Sequence, residues 1–136
     1  MKRTLISVLS VVAFGILLGM SMGTPAQADC STASLKGDFG LTCQGTLGGL
    51  PAAEVGIATY DGKGKVSGKS TISLNGTILP DVPFEGTYTL NADCTGLATF
   101  PDGSQNALVL DDHKGELRVI AIVPAGNVYT CLKRQQ

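Results

Sequence analysis

From about residue 35 onward, apolar and polar side chains alternate with a period of two, the spacing of strands with one buried and one wet face. Val66, Gly68, Ser70, Ile72 and Leu74 share a face opposite Ser67, Lys69, Thr71 and Ser73, and Phe84, Gly86, Tyr88 and Leu90 oppose Glu85, Thr87 and Thr89. After Ala28 no stretch keeps apolar positions at i, i+3, i+4 and i+7 for the length a stable helix needs. Runs rich in Val, Ile, Thr and aromatic residues predict eight strands, at about Leu35 to Gly45, Ala53 to Tyr60, Lys65 to Leu74, Val82 to Leu90, Leu97 to Phe100, Asn106 to Asp111, Glu116 to Val123 and Val128 to Leu132.

The segments between these runs are short and carry residues that accept positive φ: Asp61-Gly62-Lys63-Gly64, Asn75-Gly76, Asn91-Ala92-Asp93, Asp102-Gly103, His113-Lys114-Gly115 and Ala125-Gly126-Asn127. Such links join neighbours antiparallel. With no helix to cover a sheet face, eight strands bury both edges by closing, which predicts an all-β, up-and-down antiparallel β-barrel; a β-sandwich is the alternative. The seventh run, Leu117 to Val123, is apolar on both faces beyond Arg118. Its outer face around Ile120 and Ile122 calls for cover by the N-terminal arm or a second copy of the chain, or stands as exposed Ile on a central strand. Gly56-Ile57-Ala58-Thr59-Tyr60-Asp61-Gly62 is echoed at Gly96-Leu97-Ala98-Thr99-Phe100-Pro101-Asp102-Gly103, consistent with two hairpins on one template.

The start of the chain has a different pattern. Met1-Lys2-Arg3 is a basic n-region, the stretch from Leu5 to Met20 is mostly apolar, and Thr24-Pro25-Ala26-Gln27-Ala28 ends in a small-x-small cleavage pattern. Residues 1–28 therefore read as a cleavable signal helix and residues 29–136 as one barrel domain, with no membrane span left after processing. The expected location is exported, periplasmic or extracellular. Of 10 basic and 11 acidic residues in the chain, Lys2 and Arg3 go with the leader. The acidic remainder offers no footprint for nucleic acid.

Export changes the meaning of Cys30, Cys43, Cys94 and Cys131. In an oxidising compartment four cysteines predict two disulfides, whereas no C-x-x-C pair or zinc-ribbon spacing is present. Three pairings are open. Closing a barrel brings the first and last strands together, which favours Cys43 with Cys131 and leaves Cys30 to reach Cys94 from the N-terminal arm.

Catalytic apparatus is sparse. His113, the one histidine, sits in an Asp111-Asp112-His113-Lys114-Gly115 tip that reads as a solvated turn. No G-x-S-x-G elbow and no D-x-D-x-D-G calcium loop occurs. Carboxylates such as Glu54, Asp61, Asp93 and Asp102 fall mostly at strand ends, where Asp serves turns, and mid-strand Glu85 shares the wet face of Thr87 and Thr89. Lys63, Lys65 and Lys69 form a small basic hairpin that protects a strand edge or meets an anionic surface. The sequence implies no metal and no cofactor.

Three segments carry a resemblance: Leu35-Lys36-Gly37-Asp38-Phe39-Gly40, Tyr60-Asp61-Gly62-Lys63-Gly64 and Gly86-Thr87-Tyr88-Thr89-Leu90-Asn91-Ala92-Asp93-Cys94-Thr95-Gly96. In these the chain resembles a group of small exported bacterial proteins of unassigned function. In layout it is similar to calycins and to the allene oxide cyclase and dirigent barrels, all eight-stranded. Lipocalins carry Gly-x-Trp where this chain has Gly37-Asp38-Phe39, and avidins pack biotin on Trp, which is absent here. Layout alone does not transfer an activity.

Together these readings predict a secreted, non-enzymatic barrel that binds a small apolar or amphipathic ligand in a lumen lined by Phe39, Leu41, Tyr60, Phe84, Tyr88 and Phe100. Two other readings stay open: a structural or surface-interaction module with a filled core, and a cyclase- or isomerase-like barrel that shapes a bound substrate.

Overall fold

The computed structural model describes residues 29–111 and 114–136. The leader and His113 lie outside the described residues. After a single 3₁₀ turn, η1 (Thr32–Ser34), eight strands follow: β1 (Lys36–Leu47), β2 (Leu50–Asp61), β3 (Lys65–Leu74), β4 (Thr77–Leu90), β5 (Thr95–Thr99), β6 (Gln105–Asp111), β7 (Glu116–Val123) and β8 (Val128–Gln135). Each pairs antiparallel with its chain neighbour, and β8 pairs with β1 from Phe39↔Gln135 to Thr46↔Val128, so the sheet closes as a barrel rather than a sandwich.

Local chemistry sets the hairpins. Leu47 pairs with Leu50 across Gly48 and Gly49, whose φ values of 57° and 79° match the two positive-φ positions of a type I′ turn. Asn75 and Gly76, at 49° and 85°, do the same between Leu74 and Thr77. Both tight turns lie at one end of the barrel, with the β5–β6 and β7–β8 links.

The strands run longer than the sequence pattern indicates. β4 begins at Thr77 rather than near Val82, because its register against β3 shifts between Ser70 and Ile72, where Pro80 and Asp81 add residues to one side of the ladder. Asp81 has a φ of 50°. A bulge accommodates prolines that would otherwise end a strand. Likewise β2 begins at Leu50, which places Glu54 well inside the strand instead of at its end.

One end of the barrel is sealed. Leu35 is fully buried there, beneath a ladder of aromatic rings: Phe39 meets Tyr60 edge-on at 5.4 Å between centroids, and Tyr60 meets Tyr88 at 5.2 Å. The Tyr88 hydroxyl donates to the Leu35 carbonyl at 2.6 Å and accepts from the Gly62 amide at 2.9 Å, so the ring ties the arm to the β2–β3 turn. A disulfide between Cys30 and Cys94 fastens the same arm to the β4–β5 turn, alongside a Cys30 N–H to Ala92 carbonyl bond of 3.1 Å. From Asp29 onward the arm therefore caps the closed end. It does not cover β7, whose Ile120 and Ile122 remain exposed.

Candidate functional site

The opposite half of the lumen is not filled. A cavity of about 480 Å³ reaches inward from the β5–β6 turn, where Pro101, Asp102 and Ser104 form part of its mouth. Its size falls within the range of about 300–1,000 Å³ common for small-molecule sites. Ile72, Val82, Phe84 and Phe100 supply apolar wall, and the Cys43–Cys131 disulfide crosses the β1–β8 seam beside it.

Two inward glycines shape that wall. Gly68 pairs with Phe84 across β3 and β4, and a Cβ on Gly68 would lie 2.5 Å from the Phe84 ring. A Cβ on Gly86 would lie 2.9 Å from the Phe100 ring. Each ring thus lies over a missing side chain and is held toward the barrel wall rather than across the lumen. The two rings meet near edge-on at 6.5 Å.

Polar groups gather on the facing side. The Tyr129 hydroxyl donates to a Glu54 carboxylate oxygen at 2.8 Å. Deeper, the Lys133 ammonium donates to the Tyr60 hydroxyl at 2.8 Å and stands 5.2 Å from the centre of the same ring. Lys133 is only 6% exposed, yet it lines the cavity and forms no ion pair among the described residues. Burial disfavours its charged form and lowers its pKa to about 8, with the Glu54 charge opposing the shift. Burial raises the Tyr60 and Tyr129 hydroxyls above the ordinary tyrosine value, and the Glu54 contact adds to the shift at Tyr129. Both tyrosines are therefore neutral donors or acceptors at physiological pH.

The six lumen residues expected from sequence divide between the two halves. Leu41, Phe84 and Phe100 line the cavity, while Phe39, Tyr60 and Tyr88 fill the closed end, with the Tyr60 hydroxyl reaching up to Lys133. The pattern missed Glu54, Tyr129 and Lys133. One signal for them was present: Tyr129, Cys131 and Lys133 share parity, so a disulfide that turns Cys131 inward turns Lys133 inward as well.

Of the other sequence candidates, Glu85 and Asp102 border the cavity at its outer edge and the rest lie away from it. Glu85 is exposed, on the face opposite Phe84 and Gly86. Asp61 accepts from the Lys63 and Lys65 amides at 2.7 and 2.9 Å, and Asp93 and Asp102 make the same kind of bond to the Thr95 and Ser104 amides. The Thr95 hydroxyl donating to Asp93 and the Ser104 hydroxyl donating to Asp102, followed by the amide bonds, hold those carboxyls below the ordinary Asp value, as the Lys65 and Lys63 amides do for Asp61, and mark all three as turn residues. Among the described residues, no three His, Cys, Asp or Glu side chains converge to hold a metal. Outside the barrel, Ala107, Val109, Ile120 and Leu132 line a groove that runs across β6, β7 and β8 onto β1 at Gly40 and Thr42, flanked by Arg118 and Arg134.

Comparison with protein families, with curated proteins and with solved structures finds no match to this chain.

Proposed function

We propose that this protein is an exported carrier that holds one small amphipathic molecule in the open half of its barrel. The observation that carries the reading is the asymmetry of the lumen: one half is packed with aromatic rings, and the other is a cavity with apolar walls and a polar strip of Glu54, Tyr129 and Lys133. An apolar chain fits against Phe84, Phe100 and Ile72, and a polar head group reaches the strip. Leu50, Ile78, Leu79, Val123 and Val128 are exposed beside the open-end turns and give the mouth an apolar collar. The two disulfides fit an oxidising compartment.

The test is titration with N-phenyl-1-naphthylamine, whose fluorescence rises in apolar surroundings. One saturable site is expected, lost in Ile72→Trp, which sets an indole across the cavity, and retained in Ile120→Ser on the outer face. No saturable binding, or loss in Ile120→Ser with retention in Ile72→Trp, overturns the reading.

The outer groove supports a second reading, a surface-interaction module that pairs with its own kind through β6, β7 and β8. Sedimentation of wild type and Ile120→Ser tests it. A dimer that the substitution dissociates supports that reading, and a monomer at all concentrations removes it.

A further inference from the structure

Lys133 is the feature that a simple apolar carrier does not need. A long charged side chain on an inward position of a small barrel costs stability unless it is paired, and hydrophobic replacement at such sites is often neutral or better. The groups around it are specific. On the neighbouring strands β1 and β7 it stands opposite Leu41 and Leu117, both buried and uncharged. β2 contributes Tyr60 and Glu54, β8 contributes Tyr129, which occupies Glu54 with its hydroxyl, and Glu85 of β4 and Asp102 of the β5–β6 turn border the same cavity at its outer edge. The ammonium has three N–H groups, and the Tyr60 hydroxyl accepts one. Lys133 lines a cavity that opens to solvent at the far mouth.

Two kinds of ligand could use such an amine, a carboxylate that pairs with its charge or a carbonyl that bonds to it. Glu54 separates them. Its carboxylate lines the same cavity, so an anionic head group would meet a negative charge beside the positive one, whereas a cationic product on Lys133 would have Glu54 as its counter-charge. We propose that Lys133 captures an aliphatic aldehyde in the lumen as a Schiff base, with the alkyl chain of the aldehyde against Phe84 and Phe100. This rests on the carrier reading above and names the ligand class.

The step balances without an oxidant or reductant. The ammonium first releases a proton to solvent, and the free Nζ pair attacks the carbonyl carbon to give a carbinolamine. The carbinolamine hydroxyl then takes up a proton from solvent and leaves as water as the C–O bond breaks, and the nitrogen lone pair forms the C=N bond, so the product is the protonated imine with its one remaining N–H. A lysine desolvated in an apolar pocket is suited to this role because more of it is free amine at neutral pH than of an exposed lysine. Lys133, brought down to about 8, meets that condition. Exposed Lys36, Lys63, Lys65, Lys69 and Lys114 provide controls within the same molecule.

The test treats the oxidised protein with octanal and sodium cyanoborohydride at pH 7.5 and maps the octyl adducts by peptide mass spectrometry. Lys133 is expected to exceed each exposed lysine by at least about tenfold. Its trapping should rise with a midpoint near pH 8. Lys133→Arg keeps a charge in the lumen and should lose the dominant adduct. If octanal displaces that probe but Lys133 gains no more adduct than the exposed lysines, covalent capture is overturned and the carrier reading stands. If octanoate displaces the probe in a Lys133-dependent way and octanal is not trapped, Lys133 is an anion anchor and the proposal also fails. If the probe does not bind and Lys133 gains no preferential adduct, both readings fall. The wild-type pH profile decides the matter even if Lys133→Arg does not fold.

Discussion

Cys43 and Cys131 are direct partners across the seam where β1 meets β8, and their disulfide closes a span of 88 residues. The bond joins the first strand to the last, so it restricts the unfolded chain over nearly the whole domain. Loop-entropy arguments place the stabilisation from so long a closure at about 2–5 kcal/mol. Cys43→Ala/Cys131→Ala should lower the urea-unfolding free energy by that amount. A loss under about 1 kcal/mol would show that the β1–β8 ladder holds the seam unaided.

Gly68 faces Phe84 with no room for a Cβ, which would sit 2.1 Å from the Ile57 carbonyl oxygen as well as against the ring. Backbone cannot yield as a flexible side chain can. Gly68→Ala should therefore destabilise by about 1–3 kcal/mol, with Phe84 displaced toward the cavity and weaker binding of the naphthylamine probe. Urea titration and probe titration on one preparation check both effects. Unchanged stability would mean that β2 and β3 separate more easily than their pairing indicates.

Much of this fold was legible because a period-two pattern has few readings. Phe84, Gly86, Tyr88 and Leu90 could share only one face, and the turn glycines left only short links, so strand order and closure followed. The half that holds the cavity is harder to read. In sequence Glu54 reads as a strand-end carboxylate because the second run starts at about Ala53, and the pattern of the eighth run stops at Leu132, one residue before Lys133. Charged side chains are taken as strand ends or wet faces by default, and that default fails where a lumen offers a polar partner, as Tyr129 does for Glu54 and Tyr60 for Lys133. Nor could alternation separate Phe84 from Phe39, since both point inward and only the three-dimensional taper shows which end is packed.

The turn carboxylates predict behaviour in acid. Asp61, Asp93 and Asp102 are held below their ordinary value by hydrogen bonds to backbone and side-chain donors, so the folded state binds fewer protons than the unfolded one in the acid range. Their stabilisation is present above the ordinary Asp value of 3.8 and is lost as pH falls through the lowered folded values. The triple variant Asp61→Asn/Asp93→Asn/Asp102→Asn keeps acceptors at all three turns but removes the titration. Its thermal midpoint should fall less than that of wild type between pH 5 and pH 2.5, both taken as approximate set points around the Asp range. Parallel curves would place the acid sensitivity elsewhere.

Lys133 predicts a trend of the same sign in mild alkali. Its folded pKa of about 8 lies below the ordinary lysine value of 10.5, so between these limits the unfolded chain binds more protons and stability rises with pH. Below about 8 the native state carries the full cost of a buried ammonium. The raised tyrosines act with the other sign: Tyr60, Tyr88 and Tyr129 stay protonated in the fold, and stability falls once the unfolded tyrosines ionise above 10.0. Wild type should therefore be more stable at about pH 9.5 than at about pH 7, by roughly 1–2 kcal/mol, before the tyrosine decline. In Lys133→Met the gain should vanish, and the variant should match or exceed wild type at neutral pH because the desolvation cost is gone. Urea titrations of both proteins at the two pH values decide it. A wild-type stability that is flat or falling across this interval would mean that Lys133 remains an ordinary ammonium, solvated through the mouth of the barrel.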